Sequence, residues 1–212
     1  MGSPVPKQFL SLAGKPIIWH TINSFSEAIP DINIIVVLPE EHLTSGHELI
    51  SSLGSFNSLT LISGGTNRFE SVKKGLGKVT GDSLVMVHDG VRCLVSPTLI
   101  RRCRDIAILK GNAVPAIKAA DSIRITTQGG NRPVDRNEVY LIQTPQTFQS
   151  RFILPAFEQE YDPSFTDEAT VVEKTGVAIN LVEGEPTNIK ITRPVDLLIA
   201  EQIVAERSAA MR

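Results

Sequence analysis

Cysteine is scarce in this sequence: Cys93 and Cys103 are the only two in 212 residues. They lack CxxC spacing and a secretory context, so a disulfide framework or zinc site is not expected, and reduced core thiols in a cytoplasmic protein are. Long apolar runs are also missing. The longest, such as INIIVVL (Ile32 to Leu38), fall far short of the roughly 20 residues that a membrane-spanning helix needs. No membrane association is expected. Nor is either sign of charge in excess: 21 Lys and Arg face 23 Asp and Glu, for a formal net charge of -2. That balance excludes a broad attraction to nucleic acid, so any polyanion must be held by a local site. His42 and His47 with Glu48 lack the i, i+4 spacing of two ligands on one helical face and read as solvated surface. GxxxxGK[ST], GxGxxG and GxSxG are all absent, which disfavours P-loop, dinucleotide-binding and hydrolase-elbow readings.

What is present is a regular alternation. Short β-branched runs, INIIVVL, SLTLI (58–62), SLVMVH (83–88) and NAVPAI (112–117), are separated by helix-length amphipathic segments. Near-continuous apolar strands spaced in this way predict an α/β fold with a mostly parallel sheet and helices on both faces. KPIIWHTINSFSEA repeats apolar residues at Ile18, Ile22 and Phe25, with Pro16 in its first turn, and TNRFESVKKGLGKV does so at Phe69, Val72 and Leu76. A closing helix is expected from Thr192 and Pro194 onward. No repeat or linker divides the chain, so 1–212 is expected to form one domain. The exception is about 121–141, DSIRITTQGGNRPVDRNEVYL, which reads as a β-hairpin turning at Gly129-Gly130. A lone hairpin is marginally stable in water, so support from a second subunit is expected.

In an open parallel sheet, ligands bind at the carboxyl ends of strands, and five polar clusters fall there or nearby. In SGGTNRFESVKKGL (63–76), Gly64 and Gly65 permit close backbone approach and the next helix offers free N–H donors, although an ordinary strand-to-helix turn also accounts for a glycine pair. In VMVHDGVR (85–92), Asp89 can hold a divalent cation or a sugar hydroxyl and Arg92 can fork onto phosphate, or the two simply pair with each other. In TNIKITRPVDL (187–197), Lys190 points opposite to Ile189 and Ile191 and is either snorkelling or a phosphate clamp. Thr166, Asp167 and Glu168 precede a helix, where capping is the plain explanation. Lys7, near the start of the chain, would by itself be solvated.

Taken together and in order, PKQFLSLAGKPI, SGGTNRFESVKKGL, VHDGVR, AVPAIKAADSI, VDRNEVYLIQTPQTF, FTDEA and NIKITRPVDLLIAE resemble the 2-C-methyl-D-erythritol 4-phosphate cytidylyltransferase family of the non-mevalonate isoprenoid pathway. The resemblance covers essentially the whole chain. It implies a Rossmann-like nucleotidyltransferase fold that joins CTP to methylerythritol phosphate with Mg2+ and releases pyrophosphate. It further implies Lys7 and Lys190 as the catalytic cations, Gly64, Gly65 and Ser71 with Asp89 and Lys190 as nucleotide-binding residues, and Asp89 as the metal-side carboxylate. Arg92, Ser122, Arg136, Thr144 and Thr166 would hold the acceptor. Ser122 and Arg136 would lie on an arm that reaches a second subunit, giving a homodimer with shared sites.

Several positions depart from the family pattern. Thr66 stands where an acidic residue is common, Gly90 and Val91 replace two alanines, Cys93 a proline, and Ser122 a threonine. The family also carries an apolar strand and an AAGxGxRMG-type loop before the PKQF segment, and Met1-Gly2 corresponds to the end of that loop. Without that strand and loop, two sheet edges are expected to be exposed and catalysis by the chain as written to be impaired. A pentitol-phosphate cytidylyltransferase, acting for instance on ribitol 5-phosphate, and a non-catalytic dimer that keeps the fold are the alternative readings.

Overall fold

The computed structural model describes residues 6–52 and 58–210, so Met1 and Gly2 lie outside the described residues. A 3-10 turn at Lys7–Phe9 leads into a two-residue ladder, β1 (Ser11–Leu12) against β2 (Lys15–Pro16). Pro16 ends that ladder and caps α1 (Ile17–Ala28) rather than entering its first turn. The alternation follows as β3 (Ile34–Leu38), α2 (Leu43–Ser52), β4 (Leu59–Ser63), α3 (Arg68–Leu76), β5 (Leu84–Val87), α4 (Pro97–Lys110) and β6 (Asn112–Lys118). The hairpin arm comprises β7 (Ile123–Thr127) and β8 (Gly130–Val134), and the chain returns through β9 (Tyr140–Ile142) and β10 (Gln146–Gln149). It closes with α5 (Ser150–Ala156), α6 (Glu168–Glu173), β11 (Leu181–Glu183) and α7 (Pro194–Ala210).

Helix ends follow local chemistry. Asn67, Ser96 and Asp167 each accept a hydrogen bond from the backbone N–H three residues on, capping α3, α4 and α6. Gly111, at φ 93°, terminates α4 in the left-handed conformation that glycine adopts without strain. At α7 the capping group is the Asp196 carboxylate, which takes the N–H groups of Thr192 and Arg193, so Thr192 supplies a donor rather than the cap.

The sheet is mixed, where a mostly parallel one was expected. Its order is β11-β6-β10-β5, and β10 runs antiparallel to both β5 and β6. The strand directions of β5, β6 and β11 still agree, and β3 pairs parallel with β4. The cause is the arm. It returns the chain along β6 as β9, antiparallel, and β10 continues that path after the cis Thr144-Pro145 peptide. Among the described residues β3 pairs only with β4, and β5 only with β10, so each keeps one edge without a strand partner.

Both faces of the central sheet are covered, as expected. Phe148 of β10 packs with Phe69, Ile153, Phe157, Val171 and Val172 on one side. Ala113 of β6 packs with Phe25, Leu99, Ile100 and Cys103 on the other. Burial pushes the Cys93 and Cys103 thiols up to about 12, so both stay protonated and unreactive at neutral pH. No helix among the described residues is long and apolar enough to cross a membrane.

Candidate active site

Three loops converge at the carboxyl ends of β4 and β5. After β5, the Asp89 carboxylate sits with its Oδ2 3.0 Å from Lys190 Nζ and 3.4 Å from Arg92 Nε, and its Oδ1 3.7 Å from an Arg68 nitrogen. Burial alone would raise its pKa, but Lys190, followed by Arg68 and Arg92, outweighs this and holds the carboxyl below its ordinary range. The result is an ionised carboxylate ringed by three cations, only 15% exposed, beside a Lys190 side chain that is 45% exposed.

The loop carrying Asp89 is fastened from beneath. His88 is partly buried and its ring lies edge-on to Phe25. Its Nε2 is 3.1 Å from the Arg92 carbonyl, which can only accept, so Nε2 carries the proton and Nδ1 is an acceptor. The Thr144 hydroxyl, 2.9 Å away, therefore donates to Nδ1 while its oxygen accepts from the Asp89 N–H at 3.1 Å. Desolvation holds the His88 pKa down to about 4, which keeps this neutral form in place. Arg92 donates to the Asn188 carbonyl at 2.8 Å as well as to Asp89, and Asn188 in turn donates to the Thr144 carbonyl at 2.8 Å.

After β4, the glycine pair is required for space. A Cβ on Gly64 would come within 2.8 Å of Ser71 Oγ, and one on Gly65 would collide with the Glu70 side chain. Of the N–H donors here, those of the glycine pair and Thr66 are taken internally, whereas those of Asn67, Arg68 and Phe69 at the helix start have no partner among the described residues. Gly64 N–H bonds the Leu38 carbonyl, and Gly65 N–H bonds Ser71 Oγ. Thr66 N–H bonds the Glu70 carboxylate, and Glu70 N–H bonds the Asn67 side chain. Short polar side chains at Asn67, Glu70 and Ser71 compete successfully for the donors. The loop also offers the Gly65 carbonyl, which receives no hydrogen bond among the described residues.

A third segment, before α6, is tied to the first two. Asp167 accepts from Gln146 at 2.9 Å and caps α6 through Thr170. The next side chain, Glu168, is wholly buried and receives both terminal nitrogens of Arg68, at 2.5 and 2.9 Å. Burial raises the Glu168 pKa, whereas Arg68 is held protonated by Glu168, Asp89 and Asp167 against its own desolvation. Two short parallel hydrogen bonds require a carboxylate, so the ionised pair is the form that this geometry keeps.

Of the sequence-derived candidates, the structure brings together Asp89, Arg92, Lys190 and Thr144, with Gly64, Gly65 and Ser71 on the adjoining loop. Thr166 is exposed beside the Asp167 cap. Lys7 opens the first 3-10 turn and forms no ion pair with Asp89 among the described residues. Ser122 and Arg136 lie at the exposed base of the arm, where Arg136 donates to the Ala120 carbonyl at 3.0 Å. Sequence reading passed over His88, Arg68, Gln146 and Asn188. Arg68 carried one signal, its place at the helix start behind the glycine pair; the others carried none.

An α/β sheet that presents a glycine loop after one strand and a cation-ringed carboxylate after the next has the architecture of a nucleotidyltransferase. The family model for 2-C-methyl-D-erythritol 4-phosphate cytidylyltransferase, IspD, matches residues 1–206, and the chain belongs to that family. A protein of that name from Bacteroides fragilis is 42% identical over 96% of this chain and 93% of its own length. A bifunctional IspD/IspF enzyme of Desulfotalea psychrophila is 36% identical over 98% of this chain and 54% of its own length. The crystal structure of the Thermus thermophilus cytidylyltransferase superposes with a TM-score of 0.78, at 32% identity over 94% of each chain.

Proposed function

We propose that this protein transfers the cytidylyl group of CTP to 2-C-methyl-D-erythritol 4-phosphate. The observation that carries this reading is the Asp89 centre: a carboxylate with Lys190 at 3.0 Å, flanked by Arg68 and Arg92, at the end of β5 beside the glycine loop. An acceptor phosphate oxygen forms a bond to the α-phosphorus as the bond to the bridging oxygen breaks, and pyrophosphate leaves with that electron pair. No covalent enzyme intermediate is needed. Lys190, supported by Lys7, faces the growing equatorial charge, where a fixed ammonium stabilises the transition state more than the ground state.

The base site fits an amino-bearing pyrimidine. With the Gly64, Gly65 and Thr66 N–H groups taken internally, the Gly65 carbonyl is an acceptor left to recognise a base edge, and the exocyclic amine of cytosine is a donor. Gly64 and Ser71 shape the floor beneath it. The two N–H groups of Arg92 that are not bound to Asp89, Asn188 or Ile142 face phosphate, and Thr166 meets the acceptor. Thr144 contributes differently from a direct phosphate donor: its hydroxyl hydrogen is committed to His88, so it acts by fixing the Asp89 loop.

The donor set also fits Mg2+. Among the described residues no three His, Cys, Asp or Glu side chains gather as a closed metal site. An ion that arrives on a triphosphate needs only one or two carboxylates, and Asp89 supplies one. Bound there, the ion would neutralise triphosphate charge.

The arm supports a homodimer. Ile125 on the arm and Tyr140, Leu141 and Ile142 on the strand it returns through are all between 37% and 50% exposed, apolar surface suited to a second copy that would bring Ser122 and Arg136 to the neighbouring site. The dimer acts in the cytoplasm on small molecules, with no nucleic-acid or membrane partner. Pyrophosphate release with CTP, Mg2+ and either methylerythritol phosphate or ribitol 5-phosphate tests the proposal. Turnover with the first and not the second is expected; the reverse preference, or none with either, overturns it.

A further inference from the structure

Arg68, carried on the segment that follows β4, reaches both of the other loops of the site with its side chain. It begins α3, directly behind the glycine loop. Its two terminal nitrogens grip Glu168 at the head of α6, and one of them also faces Asp89 at 3.7 Å. Glu168 is fully buried while Arg68 is 41% exposed, so the pair is not simply a core ion pair: its carboxylate end is fixed and its guanidinium end reaches the site. The two loops it joins differ in how they are held. The glycine loop has its own supports in Asn67, Glu70 and Ser71, none of which involves Arg68. The residues before α6 depend on Gln146, on the Asp167 cap and on the Arg68 fork.

We propose that Arg68 is a positioning residue that registers the acceptor-holding segment around Thr166–Glu168 against Asp89 and the nucleotide loop. This deepens the cytidylyltransferase reading and rests on it for the name of the acceptor. Because the nucleotide loop is self-supporting, loss of the fork displaces the acceptor side alone. A guanidinium is required, since a lysine ammonium keeps the charge but cannot span both carboxylate oxygens and Asp89 together.

The test uses Arg68→Lys and the charge-free pair Arg68→Gln with Glu168→Gln, which leaves no unpaired buried charge if the single variant folds poorly. Expected in both is a KM for methylerythritol phosphate raised about tenfold or more, with the KM for CTP changed less than about threefold, on the scale of a mispositioned substrate group. Both KM values at wild-type level, with only Vmax reduced in step with the folded fraction, overturn the proposal. Amide hydrogen exchange supplies a readout independent of turnover. The Ala169 and Thr170 amides should lose protection in the variants while Gly65 and Thr66 keep theirs; unchanged protection at Ala169 and Thr170 overturns the tether whatever the kinetics. If the wild-type protein itself does not turn over, the functional reading falls and the exchange pattern alone decides the role of Arg68.

Discussion

The Asp89 centre and the hairpin arm are built in opposite ways. Around Asp89, every fastening group is buried or partly buried and hydrogen-bonded within one chain: His88 to Thr144, Thr144 to the Asp89 amide, Asn188 to both Thr144 and Arg92. In the arm, β7 and β8 pair only with each other among the described residues, and their side chains are almost all exposed. One chain suffices to preorganise the charge centre, whereas the arm is left without cover from its own chain, cover that the proposed dimer would supply. Catalytic geometry and assembly are thereby separable, and substitutions can strike one without the other.

The sharpest way to break the first region is Lys190→Ala. Loss of the ammonium nearest Asp89 should lower kcat about 10²–10³-fold while the protein stays folded, as steady-state kinetics beside circular dichroism would show. Less severe is Leu141→Glu on β9, the strand through which the arm returns. Sedimentation velocity should report a monomer, with activity reduced at least about tenfold, because a like charge placed across a two-fold apolar contact opposes association. Calorimetric titration with CTP should change less than about threefold in the same variant, since the nucleotide loop lies outside the arm. A monomer of full activity would remove the shared-site element of the proposal.

The smallest effect concerns pH. His88 binds its proton near 6.5 when unfolded but near 4 when folded. The unfolded chain therefore holds the extra proton between these values. Stability is fully present above pH 6.5 and declines as pH falls toward 4, by about 3 kcal/mol from this group. Urea denaturation at pH 7 and pH 4.5 should show His88→Gln losing about 2 kcal/mol less over that interval than the wild type does. Equal losses in the two proteins would mean that the ring is not held neutral.

Much of this was legible beforehand, for reasons that particular residues make plain. Strands such as Ile34–Leu38 and Asn112–Lys118 announce themselves because burial on both faces demands unbroken apolar runs. Gly64-Gly65 and Asp89 stood out because polar groups at strand ends have few structural duties there; Lys190 stood out as the polar face of an expected strand, but it lies in irregular chain between β11 and α7. Other features are long-range. Arg68 and Glu168 are 100 residues apart, and nothing local to either marks the other as its partner. Gln146–Gln149 carries a single large apolar side chain, Phe148, too little to read as a strand, yet it forms the antiparallel centre of the sheet. The capture of the Gly65 and Thr66 N–H groups by Ser71 and Glu70 was not legible, because it depends on how the helix folds back over the loop.

The hydrogen-bond chain beneath Asp89 has a spectroscopic consequence. With Nε2 committed to the Arg92 carbonyl and Nδ1 to the Thr144 hydroxyl, His88 is locked in one tautomer instead of averaging between two. Its two ring nitrogens should then give well-separated resonances that hold their positions from neutral pH down to about 5. The Thr144 hydroxyl hydrogen, cut off from bulk water, should exchange slowly enough to be observed. These signals would report the integrity of the Asp89 loop in solution with no substrate present.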